Sequence, residues 1–207
     1  MLPPKLRIYG HWKFLTYHCL CWQLTSAVLH LLAHYIKPLR PVRDVVFTTL
    51  ANPLSYIVVL TFWGVWHILG RELIFPQAVS KFYPDWLNHT THTIPILVNI
   101  ILQLLCNHKF TKNCSIITLG YMLSYAVFLY YIKGTTGHYV YRYLDTMSDL
   151  EVYIYFAVSG FFAFVCYKMG QVLNSYLHAP VSQRPAATYQ SAQKSTGGGG
   201  SGGKKHK

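Results

Sequence analysis

The sequence predicts an all-α fold, a polytopic transmembrane helical bundle of about five spans. Three observations carry that prediction. The 207 residues are 52% hydrophobic and only 12% charged, whereas soluble domains carry about 25% charge. The apolar residues gather into stretches close to the roughly 20 residues that a helix needs to cross the hydrocarbon core. Most Lys and Arg stand at the ends of those stretches, where they anchor to headgroups.

Taken in order, the first span runs from about Phe14 to Ile36, with Trp12 and Lys13 as interfacial anchors at its threshold. The second runs from about Val45 to Leu69, and Pro53 is expected to kink it. The third runs from about His92 to Asn107 and is short, with Pro95 near its start. The fourth covers about Ser115 to Ile132, and the fifth about Val152 to Leu173. Short loops rich in Pro, Gly, Asn and charge join them. Residues 1–180 thus form one transmembrane domain. Residues 181–207 form a flexible, polar, Gly-rich basic tail, with linker composition in "STGGGGSGGKKHK".

The net charge of +12 is uneven, because Arg184, Lys194, Lys204, Lys205 and Lys207 all lie in the tail. No basic stripe runs along a soluble fold, so nucleic acid is not an expected partner. The five cysteines are odd in number, and Cys19-x-Cys21 is neither a zinc nor a redox spacing. Most are expected to be small buried hydrophobes.

Five crossings sort the loops onto two sides. The amino-terminal side holds residues 1–13, 70–91 and 133–151; the other holds 37–44, 108–114 and the tail. Lys5, Arg7, Lys13, Arg71, Lys81, Lys133 and Arg142 face Lys37, Arg40, Arg43, Lys109, Lys112, Lys168 and Arg184. The positive-inside rule therefore does not orient the chain. The terminal "KKHK" has the form of a dilysine retrieval signal, which would make the tail cytosolic. The expected location is an integral membrane protein of the endomembrane system, such as the endoplasmic reticulum, or of the plasma membrane.

The amino-terminal side collects most of the unusual residues: "HWKFLT", "RELIFPQAVSKFYPDWLNHTTHT" and "KGTTGHYVYRYLD". Threading brings Thr16 and His92 to one membrane face. A hydroxyl is a weak nucleophile until a base takes its proton, and an imidazole suits that task. Spacing alone favours the plainer reading, in which Thr16 and His92 are hydrogen-bonded structural residues and the Thr16 hydroxyl returns to a backbone carbonyl.

The stretches "WKFLT", "RDVVFTTLANP", "RELIFP", "WLNHTTHT", "TGHYVY" and "MGQVLNSY" spread in order from about Trp12 to Tyr176. In them the chain resembles the androgen-induced protein family. The resemblance implies a multi-pass membrane hydrolase that cleaves fatty acid esters of hydroxy fatty acids. It also implies a threonine nucleophile in the WK-aromatic-x-T motif and an essential second histidine in NHxxHT. On this chain those positions are Thr16 and His92. Two departures stand out. The family usually has another apolar segment before its WK motif, where eleven residues precede Trp12 here. Arg142 stands where relatives commonly carry proline.

In the implied reaction His92 takes the proton of Thr16, which attacks the ester and forms an acyl-threonine. Oxyanion and substrate candidates on this side are Asn88, His89, Tyr139 and Tyr141. Asp85, Asp145 and Asp149 are the carboxylates that could orient His92. No cofactor or metal is expected. The expected partners are a lipid ester substrate and the bilayer, and the sequence leaves the oligomeric state open.

Two other readings stand beside this one. Eleven histidines invite a metal-dependent membrane lipid enzyme. His30 and His34 share a helix face, but His34 lies about 27 Å along a helix from Thr16. His11, His18, His67, His89, His92 and His138 could still meet on the amino-terminal side. The other reading is a non-catalytic signalling or scaffold protein with aromatic belts, in which Gln23, His30 and His34 hydrogen-bond between helices. Asn88-His-Thr90 and Asn113-Cys-Ser115 match the glycosylation pattern. The first hugs the membrane, and the second would be cytosolic with the tail.

Overall fold

A computed structural model of the chain describes residues 9–70, 83–111 and 113–179. All regular elements among them are helical. The expected tail, the dilysine end and most of the 70–91 loop lie outside the described residues.

Helix α1 covers Leu15–Tyr35, within one residue at each end of the expected span. A 3₁₀ turn at Lys37–Leu39 leads into α2, Arg40–Val46, then a π-helical turn at Phe47–Ala51, then α3, Asn52–Leu69. Helix α4 is Asp85–His92 and α5 is Ile94–Leu105. Helix α6 is Cys114–Thr136, and α7 is Asp149–Leu177. The runs Lys37–Ile68, Cys114–Thr136 and Asp149–Leu177 are long and apolar enough to cross a membrane. With the more polar α1 and the short apolar α5 they make about five spans.

Pro53 does distort the second span, through a specific exchange of partners. Proline offers no N–H and its ring crowds the carbonyl four residues back. That carbonyl belongs to Thr49, and it accepts instead from Thr118 Oγ1 of α6 at 2.7 Å. The backbone widens into the π turn just ahead of Pro53. The Ala51 carbonyl then accepts from two side chains, Gln23 Nε2 at 2.9 Å and Asn99 Nδ2 at 3.1 Å. So α1 and α5 are hydrogen-bonded onto the distorted turn.

The α2–α3 run sits at the centre: 67% of its most apolar window is buried, against 22% for α6 and for α7. Cys19, Leu54, Ile57, Val58, Leu129, Ile132, Ala163 and Cys166 form the core around it. Leu31, Leu123, Val127, Ile154, Phe161 and Val172 are exposed apolar residues on the outer helices, as a bilayer-facing surface requires.

The third expected span is corrected. Its apolar helix is only Ile94–Leu105, α5, with Pro95 in the first turn; His92 instead ends the short polar α4, which lies in the stretch expected as a loop, and Thr93 separates the two helices. Proline is tolerated there because a first-turn N–H has no helical partner. At about 18 Å, α5 is shorter than the hydrocarbon core, and α4 lies at its amino-terminal end. That break delivers His92 to the site. At the same end of the bundle, Gly137 closes α6 in the left-handed region at φ 80°. Ser148 and Glu151 form a reciprocal capping box that starts α7.

Candidate active site

Thr16 lies in the first turn of α1 and His92 is the last residue of α4. Thr16 Oγ1 is 3.3 Å from His92 Nε2. The side chains that meet there are 76 positions apart in sequence.

The surroundings of the imidazole fix its tautomer. Its Nδ1 is 2.9 Å from Asn88 Oδ1 and 3.2 Å from the Asn88 carbonyl oxygen. Thr91 Oγ1 is also 2.9 Å away. A carbonyl oxygen only accepts, so Nδ1 carries the proton and Nε2 presents a lone pair to the Thr16 hydroxyl. Phe62 of α3 stacks on the ring at 3.6 Å and 12°. Trp63 Nε1 donates to the His92 carbonyl at 3.0 Å. His92 and Asn88 are both buried.

The start of α1 is held just as firmly. Tyr125 donates to the Lys13 carbonyl at 2.9 Å, and Tyr141, 2.9 Å from Tyr125 Oη, accepts from the Leu15 amide at 3.2 Å. His18 bridges Trp12 and Tyr121: Nε2 donates to the Trp12 carbonyl at 2.6 Å and Nδ1 lies 2.8 Å from the Tyr121 hydroxyl. The Tyr17 and His18 amides both turn back to the Phe14 carbonyl. The Thr16 amide has no acceptor among the described residues.

The expected site residues therefore separate. Thr16, His92 and Asn88 come together, and Asn88 sits behind the imidazole. Tyr141 braces the start of α1. His89 stacks on Trp63 at 5.2 Å, and its Nδ1 is 3.2 Å from Thr93 Oγ1. Tyr139 packs on Tyr130 beneath the Lys133 ammonium; none of its contacts among the described residues reaches Thr16 or His92. Asp145 is engaged by Lys133, His138 and the Tyr139 amide. The Nδ1 partners of His92 among the described residues are an amide and a hydroxyl, not a carboxylate. Sequence spacing carried that signal, since Asn88 and His92 are four apart on one helix face. Nothing in the spacing pointed to Phe62.

The profile of FAR-17a/AIG1-like proteins matches residues 2–175. The chain belongs to the FAR-17a/AIG1-like family. It is 27% identical over 194 residues to the human (Homo sapiens) androgen-induced gene 1 protein, a match covering 85% of this chain and 81% of that one. It is 32% identical over 143 residues to the human androgen-dependent TFPI-regulating protein, and 30% identical over 143 residues to that of Mus musculus. Those two matches each cover 68% of this chain and 62% of the relative's length. No solved structure matches this FAR-17a/AIG1-like chain.

Proposed function

We propose that this family member is a membrane hydrolase of lipid carboxylic esters, with fatty acid esters of hydroxy fatty acids as the substrate class. The observation that carries the reading is the 3.3 Å approach of Thr16 Oγ1 to an imidazole whose other nitrogen is already committed to Asn88. Nε2 of His92 takes the hydroxyl proton as Oγ1 forms a bond to the ester carbonyl carbon. The carbonyl π pair moves onto oxygen. The Thr16 amide, in the first turn of α1 and without an acceptor among the described residues, serves as the donor for that oxyanion. Collapse expels the alcohol, which receives the proton from His92, and leaves an acyl-threonine. Water, deprotonated by the same Nε2, then releases the carboxylic acid and restores Thr16. Asn88 positions the ring. Placement at the membrane boundary suits a substrate that partitions into lipid.

Hydrolysis of a branched fatty acid ester in detergent by wild type, Thr16→Ala and His92→Ala tests the assignment. The expected result is loss of activity in both variants, by at least about a hundredfold. Retention of full activity by either one overturns it.

A further inference from the structure

A second imidazole centre lies at the other end of the bundle, about 21 Å along α1 from Thr16. His30 of α1 and His108, which follows α5, face each other with their Nε2 atoms 3.4 Å apart. His108 is buried and His30 half-buried.

The other ring nitrogens are committed. His30 Nδ1 is 2.7 Å from the Ser26 carbonyl oxygen and 3.4 Å from its hydroxyl. The nearer oxygen can only accept, so Nδ1 carries a proton. His108 Nδ1 is 3.1 Å from Asp44 Oδ1, which also accepts from Arg43 Nη2 at 2.7 Å and Nε at 3.0 Å. A carboxylate held by Arg43 is again an acceptor, so this Nδ1 carries a proton too. Two neutral rings would then aim two Nε2 lone pairs at each other with no donor between them. In a buried setting such an arrangement is costly.

We propose that one additional proton lies between His30 Nε2 and His108 Nε2, joining the two rings as an imidazole–imidazolium latch. Three ring protons then serve four ring nitrogens, and each nitrogen has a partner of the right kind. The added positive charge lies against Asp44. Phe47 stacks on His108 at 4.0 Å and meets His30 edge-on at 5.4 Å, which holds both rings in place. Asn174 of α7 takes both backbone groups of His108, accepting from N at 3.1 Å and donating to O at 3.0 Å.

The latch therefore ties α1, α2, the segment after α5, and α7 at the end remote from Thr16. The charged and titratable groups around it are Asp44 and Arg43 from α2, His34 one turn along α1, and His178, which follows α7. His178 is itself held by the Gln103 carbonyl at 2.7 Å. A polar cavity of about 280 Å³, lined in part by Asn107, His108, Gln171, Asn174 and His178, opens at this end of the bundle. Removing the bridging proton restores the lone-pair opposition and loosens this end of the bundle.

The test is ring-nitrogen NMR on the full chain, labelled with ¹⁵N-histidine, in detergent micelles at neutral pH. His30→Gln and His108→Gln assign the resonances. The pair is expected to contribute three protonated ring nitrogens and one bare one. Two protonated and two bare nitrogens overturn the proposal. So does stoichiometric zinc or copper in the purified protein, which would make the bridge a metal ion. A second measurement uses thermal unfolding. A folded state that binds an extra proton is favoured by acid. The Gln amide of His30→Gln offers His108 Nε2 a permanent N–H. Wild type should therefore lose more melting temperature than His30→Gln between mildly acidic and mildly alkaline buffer. Parallel losses would contradict the latch.

Discussion

Asn88 Oδ1 is 2.9 Å from His92 Nδ1, one helical turn away on α4. The contact selects the tautomer that leaves Nε2 bare toward Thr16. An acceptor at residue 88 matters for this role; an amide as such does not. Asn88→Leu should lower kcat by about 10–100-fold with little change in KM, because the ring loses its orienting partner. Asn88→Asp keeps an acceptor and should retain much of the activity. Equal losses in both variants, measured with one ester substrate, would assign Asn88 a packing role instead.

Tyr141 is the expected site residue whose contacts lie on the backbone. Its hydroxyl accepts from the Leu15 amide and lies 2.9 Å from Tyr125 Oη, beside the residue proposed as nucleophile. Tyr141→Phe leaves a helix-start N–H and a buried tyrosine hydroxyl short of partners. The cost should be about 1–3 kcal/mol of stability, read by thermal unfolding in detergent. Activity should fall as well, through displacement of Thr16, and a Tyr125→Phe variant should reproduce both effects. A stable, fully active Tyr141→Phe protein would remove the phenol from the positioning of α1.

Much of this architecture was legible in the sequence, and the parts that were not have physical reasons. Hydropathy located α1, α6 and α7 to within a few residues, because crossing a bilayer demands apolar runs of fixed length. It left α4 within a loop, because that helix is short and polar and carries no apolar run for hydropathy to find. Pro53 was legible as a distortion. Its form, a π turn with Thr118 serving the Thr49 carbonyl, depends on a helix more than 60 residues away. At the site, the Thr16–His92 pairing followed from topology and motif. Asn88 was legible as an oxyanion candidate; its contact with His92 Nδ1 lies at the i, i+4 spacing that one helix face brings together. His30 was visible as a polar residue inside a span, but its partner His108 is 78 positions distant and carries no local signal.

The loop facing α1 should show its own acid dependence through Asp145, which lies outside the spans. Partial burial pushes this carboxyl upward. The Tyr139 amide at 2.9 Å, the Lys133 ammonium at 3.0 Å and His138 outweigh that and hold it below its ordinary value. A depressed folded-state value means the stabilisation is present above the unfolded carboxylate range, near about 3.9. It is lost as pH falls through the folded value. Asp145→Asn should therefore melt below wild type at neutral pH, and the gap should close in acid. A gap that stays constant down to the lowest pH the fold survives would mean that the carboxylate charge contributes nothing.

Asn52 and Gly170 pack so closely that a methyl group added at Gly170 would collide with Asn52 Nδ2 and lie 3.1 Å from its Cγ. Small residues let membrane helices approach in this way, and α3 and α7 meet here. Asn52 is fully buried, and neither of its side-chain polar atoms has a partner among the described residues. Gly170→Ala must therefore push an amide that has little space to move into. Overpacking of this kind costs about 1–3 kcal/mol, and the melting temperature in detergent should fall accordingly. Asn52→Ala removes the obstructing amide, so the double variant Asn52→Ala/Gly170→Ala should recover most of what Gly170→Ala loses. A thermodynamic cycle over the four proteins isolates the coupling. Additive effects, or an unaffected Gly170→Ala protein, would mean that the amide swings aside and that the α3–α7 contact tolerates a methyl group.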